Sequence, residues 1–598
     1  MSALSSALDQ IESLQIGENN HPEYSWSEEV KELLVQFNFQ LTRTSDTKHL
    51  EDKYQELLKK VFTPVFTGVD KSTENIKYLY KMIGYTRDII AGKGEYTLTY
   101  MLISGLYKFS QTSDCPDEYK LKLKAMSTSV LESLVKTNVN EHPYGSWKDL
   151  KYFCNYHIDP CDRSEQRLVK LNDPLFNKVV ELICGQLRCD ENAPVKTLLA
   201  KWIPREKSAK FGWITSALAK EYYKSWTNNE LSIDRQVAAR KKCLTHFRQL
   251  VSKINKKLNT TQINQCNGTW GDINFDKNVT SITLRKQGKA FQGKDKLGRQ
   301  KCGLLSNEDR MQCKNNYEHY VNRCKTGTSV AKGKRVSIID FVKDAINCRS
   351  AMDTVEEDCI NSQWKNNATQ NKALGDLIAM VDTSGSMETD NCGPLYSAIG
   401  LGIRIAEKSK LGKRIMTFSS NPSWVNLDQC KDFVSMVAQT RQASWGMNTN
   451  FRAALDLILN TAISNNISPD DMQNMTLVIL SDMQIDQAHG HNKDFANDTM
   501  FEMMNKKYNE AGLRSIYNKP YNLPHIVFWN MRTTSGFPSL STTKNTSMMS
   551  GNNPALLNAF CEHGVESLKE ITPWNMLIQE LSNNRYKHLE NIVTTLWP

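Results

Sequence analysis

Between Trp26 and about Ile263, apolar residues recur at three- and four-residue spacings. Examples are EEVKELLVQFNFQL, YQELLKKVFTPVF, ENIKYLYKMIGYTRDII and YKLKLKAMSTSVLESLVKT. That period lines one face of a helix, and strand-like alternation is scarce. The turn-forming runs His142-Pro143-Tyr144-Gly145 and Asp159-Pro160-Cys161-Asp162 punctuate successive helices. The pattern predicts a repeat-like α-helical array over 26–263, although no fixed period is visible. Residues 1–25 read as a polar lead-in. Residues 264–371 read as a basic connector or extension of the helical domain, with weaker periodicity.

From 372 the pattern changes. Apolar runs of strand length, Asp376–Asp382, Lys413–Phe418, Met475–Leu480 and Leu523–Trp529, alternate with helical stretches. The helices are expected through about Ser409, around 427–439, from Thr449 to about Ser464, and near 494–512. Near-continuous apolar strands alternating with helices predict a buried parallel sheet in a doubly wound α/β domain over 372–598. In such sheets ligands sit at the carboxyl ends of the strands. The fold class is therefore multidomain, a helical array followed by an α/β domain.

Charge sharpens the middle of the chain. The 598 residues carry 75 Lys+Arg and 65 Asp+Glu, a net +10. Residues 285–335 hold fourteen of the cations and four of the acids, which accounts for the whole excess. Either this is a solvated, lysine-rich connector or it is an electrostatic footprint for a phosphate backbone. Phe291, Tyr317 and Tyr320 interleave with the cations, which suits single-stranded nucleic acid. The candidate RNA contacts are Arg285, Lys286, Lys289, Lys294, Lys296, Arg299 and Lys301.

Composition excludes other classes. With 40% hydrophobic residues, 17 Pro and 29 Gly, the chain is neither collagen-like nor wholly disordered. Mean hydropathy is −0.51, and no apolar run approaches the roughly 20 residues of a membrane span. The first residues show neither a basic nor a long apolar signal region, so an intracellular, cytoplasmic protein is expected. Fifteen cysteines without any CxxC suggest reduced thiols. Cys302, Cys313 and Cys324, with His319, recur every eleven residues; on one helix they share a face but lie too far apart for one zinc.

The strongest chemistry follows the first apolar run. Asp382-Thr383-Ser384-Gly385-Ser386 sits at a strand end and opens a helix. Thr449 lies in GMNTNF at another helix start, and Asp482 ends another strand in VILSDMQID. Taken alone, D-x-S-x-S is also an ordinary turn and N-cap. Two carboxylates and three hydroxyls on one sheet edge are hard oxygen donors, the set preferred by Mg²⁺ or Mn²⁺.

This arrangement resembles the von Willebrand factor A domain and its metal-ion-dependent adhesion site. The resemblance implies direct ligation by Ser384 and Ser386. Thr449, Asp382 and Asp482 would bind directly or through water, and an open position would accept an acidic group of a partner. The family's usual Thr-Asp-Gly is here Ser481-Asp482-Met483, which keeps the acid and loses the turn glycine. A second resemblance lies in Arg87-Asp88-Ile89 with Gly92-Lys93-Gly94-Glu95, which looks like the signature of the Ro autoantigen (TROVE) family. Trp147-Lys148-Asp149-Leu150 and Ala200-Lys201-Trp202-Ile203-Pro204 also resemble segments of an uncharacterised plant and giant-virus family. So do TNF at 449–451, LSDM at 480–483 and VFWNMR at 527–532. That layout implies a ring-like, RNA-binding helical array joined to a von Willebrand A domain. The Asn-, Lys- and Ile-rich composition suits an AT-rich genome such as a giant virus, and with it a virion location.

Each motif also has a structural reading. Gly92-Lys93-Gly94 is no Walker loop and reads as a helix cap and turn. Arg87 and Asp88 read as a structural inter-helix ion pair, and Trp147 and Trp202 as inter-helix core anchors. The expected function is a Ro-like RNA-binding ribonucleoprotein scaffold whose Mg²⁺ (or Mn²⁺) site binds a partner's Asp or Glu. The alternative is a metal-dependent protein–protein interaction scaffold, virion-associated and without RNA binding. Catalysis is not expected: a phosphoaspartate mechanism on Asp382 wants a second Asp two residues on, where Ser384 stands.

Overall fold

Three apolar runs, Leu377–Asp382 (β3), Thr476–Ser481 (β6) and His525–Asn530 (β7), are buried along their whole length. They form the centre of a six-stranded sheet in the computed structural model. That model describes residues 14–17, 22–70, 72–136, 141–158, 172–227, 232–418, 422–443, 451–472, 475–483, 500–561 and 570–598. The expected turn at 159–162, Thr449 and the start of the helix near 494 lie outside the described residues. Arg414–Phe418 (β4), Ser423–Asn426 (β5) and Thr546–Ser550 (β8) complete the sheet in the order β5-β4-β3-β6-β7-β8. All pairings are parallel except β4 with β5, so the sheet is mixed rather than wholly parallel.

The packing divides the chain into two units that do not follow the expected boundaries at 263 and 371. The sheet unit takes the chain up to Val61, then Ala91–Lys93 and Cys324–Arg585. The helical unit takes Phe62–Ile90, Gly94–Arg323 and Tyr586–Pro598. Residues 26–61 and 324–371 therefore fold with the sheet, and 264–323 with the helices.

In the sheet unit, the helix Thr389–Lys408 lies against β3. A Cβ on Gly402 would stand 2.5 Å from Val381 Cγ2, and one on Gly400 2.2 Å from Ile338 Cγ2, so only glycine permits these approaches. Arg404 of this helix is fully buried, with its guanidinium 3.9 Å above the Trp364 ring.

At the opposite end of the sheet, helix Val30–Gln40 serves β7 and β8. Asn530 Nδ2 donates to Phe39 O (3.1 Å), and Ser550 Oγ donates to Asn38 O (2.9 Å). The buried Lys93 ammonium donates to Asn38 O, Leu41 O and Ser550 Oγ. It thereby satisfies carbonyls at a helix C-terminus, where positive charge is favoured. Part of the expected lead-in is a small hairpin, Leu14–Ile16 (β1) with Pro22–Tyr24 (β2), and Tyr24 bridges to Phe537.

Glu32 is buried in the same region and accepts from Ser541 N at 2.8 and 3.1 Å. Burial pushes its carboxyl above the ordinary range, outweighing those hydrogen bonds. A raised folded value gives stability that is fully present below the unfolded value near 4.5 and lost as pH rises through the folded one. Glu32→Gln removes that loss. The difference between variant and wild-type unfolding free energies, followed by urea titration, is expected to grow in the variant's favour from about pH 4.5 upward.

In the helical unit the motif residues interlock. Arg87 grips Asp149 with two hydrogen bonds, Nε–Oδ1 at 2.8 Å and Nη2–Oδ2 at 2.9 Å. Asp149 also accepts from Tyr100 Oη (2.6 Å) and from Ser146 N and Oγ, closing a capping box on helix Trp147–His157. The expected ion pair is therefore structural, but its acid is Asp149 and not Asp88. Asp88 instead accepts from Ile90 N and Tyr586 Oη. Gly94 has φ +73°, as a turn glycine requires. Trp147 and Trp202, expected as core anchors, both keep part of their surface in solvent.

Segment 285–335 is folded, so it is not a simple solvated connector. Helices Ser281–Phe291 and Glu308–Lys325 flank a turn in which Lys294 bridges to Gln300. Phe291, Tyr317 and Tyr320 are buried and pack on Phe275. Cys313 and Cys324 lie on the second of these helices, three turns apart and buried, while His319 is exposed. Among the described residues no helix is long and apolar enough to cross a membrane.

Candidate metal centre at the sheet edge

Parallel pairing of β3 with β6, Val381 opposite Leu480, brings the two strand ends level. Asp382 ends β3, and Asp482 follows β6 by one residue. Both side chains are buried. Asp382 Oδ1 accepts from Ser384 N at 2.8 Å, and Oδ2 accepts from Ser481 Oγ. These bonds turn the chain sharply after β3, into the 3₁₀ turn Gly385–Glu388. Ser384 Oγ and Ser386 Oγ then lie 3.0 Å apart.

Burial, together with the neighbouring Asp482 charge, pushes the Asp382 carboxyl well up, to about 7. Two buried carboxylates side by side call for a positive charge. One is present within the chain: Arg532 Nε donates to Asp482 Oδ2 at 3.1 Å. Arg532 follows β7, the next parallel strand, so three adjacent strand ends contribute to one site. Sequence reasoning missed Arg532, although VFWNMR was noted; its place just beyond a parallel strand is the available signal.

The lost glycine has a local consequence. Met483 adopts φ +64°, and its N–H donates to Ser481 Oγ at 3.0 Å. A left-handed non-glycine residue costs about 1–2 kcal/mol, which this hydrogen bond and burial of the Met483 side chain offset. Asp390, Asn391 and Cys392 are also left-handed, so the chain after the 3₁₀ turn is wound tightly beside the site.

The donor set fits a hard divalent cation in kind: oxygen only, two carboxylates and two adjacent hydroxyls. Thr383 Oγ1 is buried beside it without a hydrogen-bond partner. The described residues contain no cluster of three or more His, Cys, Asp or Glu placed for a metal. A cation here would therefore lean on the hydroxyls of Ser384 and Ser386, on water, and on Thr449, which lies outside the described residues.

The candidate RNA contacts divide by environment. Lys294 donates to Gln292 Oε1 and Arg299 pairs with Asp295 at 2.9 Å. Arg285 and Lys289 are half-buried, while Lys286, Lys296 and Lys301 are exposed. The interleaved aromatics are core residues and offer no stacking face. A second cationic element escaped the sequence reading: helix Ile233–Leu258 carries eight Lys/Arg and one acid. Its residues Thr245, Arg248, Gln249, Ser252, Lys253, Lys256 and Lys257 border an open depression of about 710 Å³.

Residues 376–594 match the model of a family described as a domain of unknown function, DUF7788. Over 523 residues the chain is 26% identical to "Uncharacterized protein L728" of Acanthamoeba polyphaga mimivirus, covering 85% of this chain and 78% of that protein.

Proposed function

We propose that the chain is a Ro-like RNA-binding scaffold whose sheet unit is a von Willebrand A-like domain with a divalent-cation adhesion site. The observation that carries the metal limb is the pair of buried carboxylates, Asp382 and Asp482, at neighbouring ends of parallel strands with Ser384 and Ser386 beside them. Asp382, Ser384, Ser386, Thr449 and Asp482 would hold Mg²⁺ or Mn²⁺. Bound there, the cation would bind an Asp or Glu carboxylate of a partner protein. The helical unit, read as a TROVE-like array, would hold RNA through cations such as Lys286, Lys296 and Lys301. The mimivirus relative supports a giant-virus setting, in the infected cell or the particle.

Full-length protein stripped with EDTA tests the metal limb. Added MgCl₂ or MnCl₂ should raise Tm, since ligand at a hundredfold its Kd stabilises by about 2.7 kcal/mol. Ser384→Ala/Ser386→Ala should abolish the shift, and partner capture should be lost in EDTA. No shift with either ion would refute the site.

A further inference from the structure

We infer that the helical unit carries a binding platform for single-stranded nucleic acid, built from Lys148, Lys151, Lys201 and Lys210 around the rings of Tyr152, Trp202 and Phe211. It rests on the RNA limb of the proposed function and moves its centre away from 285–335.

The geometry is a lattice of cations and rings. Lys148 Nζ stands 4.9 Å from the Tyr152 centroid and 5.9 Å from that of Trp202. Lys151 Nζ is 5.1 Å from Trp202 and 5.3 Å from Phe211. Lys201 lies 5.7 Å from Trp202, and Lys210 5.5 Å from Phe211. The Tyr152 and Phe211 rings meet edge-on at 5.0 Å, and Tyr96, 44% exposed, joins through Lys148 at 5.6 Å. Helix Trp147–His157 presents Lys148, Lys151 and Tyr152 three and four residues apart, on one face.

Among the described residues these four lysines make ring contacts and no ion pair with a carboxylate. Asp149, whose charge reaches Lys148, is committed to Arg87, Tyr100 and Ser146. Burial pushes Lys148, Lys151 and Lys201 below the usual lysine range; at Lys148 the Asp149 charge offsets part of this, while Lys286 lowers it further, and Lys148 lowers Lys151. Half-buried like charges that no carboxylate pairs with directly are unfavourable until an anion arrives. Phosphates supply that anion at regular spacing, and unpaired bases supply flat faces for the part-exposed rings. A duplex keeps its bases stacked inside and cannot use the rings. Lys286, one of the seven sequence candidates, belongs to the edge of this platform.

The test uses full-length protein, fluorescein-labelled U20 RNA, a 20-base-pair RNA duplex and phosphatidylserine vesicles. Wild type should bind U20 more tightly than duplex or vesicles. Lys148→Glu/Lys151→Glu should weaken U20 binding at least tenfold and flatten its salt dependence by about one to two phosphate contacts. Trp202→Ala should weaken it about 5- to 100-fold with the salt slope unchanged, and Trp202→Phe should restore most of the affinity. Circular dichroism melting verifies that each variant is folded. If wild type binds no nucleic acid, the RNA limb and the platform both fall. If it binds, but only Lys294→Ala/Lys296→Ala/Arg299→Ala/Lys301→Ala weakens it, the RNA limb stands and the platform falls. Equal duplex affinity, or vesicle binding that the platform variants abolish without U20 binding, also overturns it.

Discussion

Arg87→Ala is expected to cost about 3–5 kcal/mol of the helical unit's stability, the penalty for stranding a buried charge. Asp149, 2% exposed, would keep its charge with only Tyr100 and Ser146 as donors. An exposed ion pair would cost no more than about 1 kcal/mol, so the measurement discriminates. Urea unfolding followed by tryptophan fluorescence reads it, and a loss below that bound would contradict the lock. The double variant Arg87→Met/Asp149→Leu should recover much of the loss, because no charge is left behind. Acid gives a second check. Burial pushes Asp149 up, but the charge and hydrogen bonds of Arg87 outweigh it and hold the carboxyl below its ordinary value of 3.8. Its contribution is therefore present above that value and lost as pH falls through the depressed one. Wild type and Arg87→Ala should converge in stability at the acid end.

Asp382→Asn is expected to act in the opposite direction, raising metal-free stability by roughly 1–3 kcal/mol. The buried edge holds two carboxylates against one guanidinium, Arg532. The amide removes one negative charge and keeps the bond from Ser384 N, while Ser481 Oγ can rotate to accept from it. The same variant should lose all response to MgCl₂. Stability would thus rise as binding disappears, a combination that a mere packing defect cannot produce. Arg532→Ala should do the reverse, destabilising the metal-free protein and enlarging its gain from Mg²⁺. Thermal melts of wild type and both variants, with EDTA and with MgCl₂, read all six states. If Asp382→Asn melts lower than wild type in EDTA, the electrostatic account of the edge is wrong.

Much of the sheet was legible because four of its strands are apolar runs of strand length that end within a residue or two of the observed limits. Two strands were not. β8, Thr546–Ser550, is fully buried yet carries Thr546, Ser547 and Ser550, whose hydroxyls are satisfied by partners such as Ser539, His525 and Lys93. No hydropathy pattern marks a strand whose burial depends on distant donors. β5 is a four-residue antiparallel edge with an exposed Trp424. The same limit applies to the site. Asp382, Ser384, Ser386 and Asp482 were readable from local motifs, whereas Arg532 joins them only through the register of β6 with β7. The aromatics of 285–335 misled for a related reason: spacing shows that rings and cations alternate, but not which of them face inward.

The stretch that matches the family model is not the stretch that folds. The family match runs over 376–594, yet β8 and Asn530 take hydrogen bonds from or give them to residues 38–41 and 93, far outside it. A gene fragment cut at the match would leave a strand edge bare and the ends of its polar network unanswered. Transplanting this domain into another protein, by laboratory or by recombination, therefore requires carrying the early helix along with it. The bounds of the family match and the bounds of the folded unit fall at different places in this molecule.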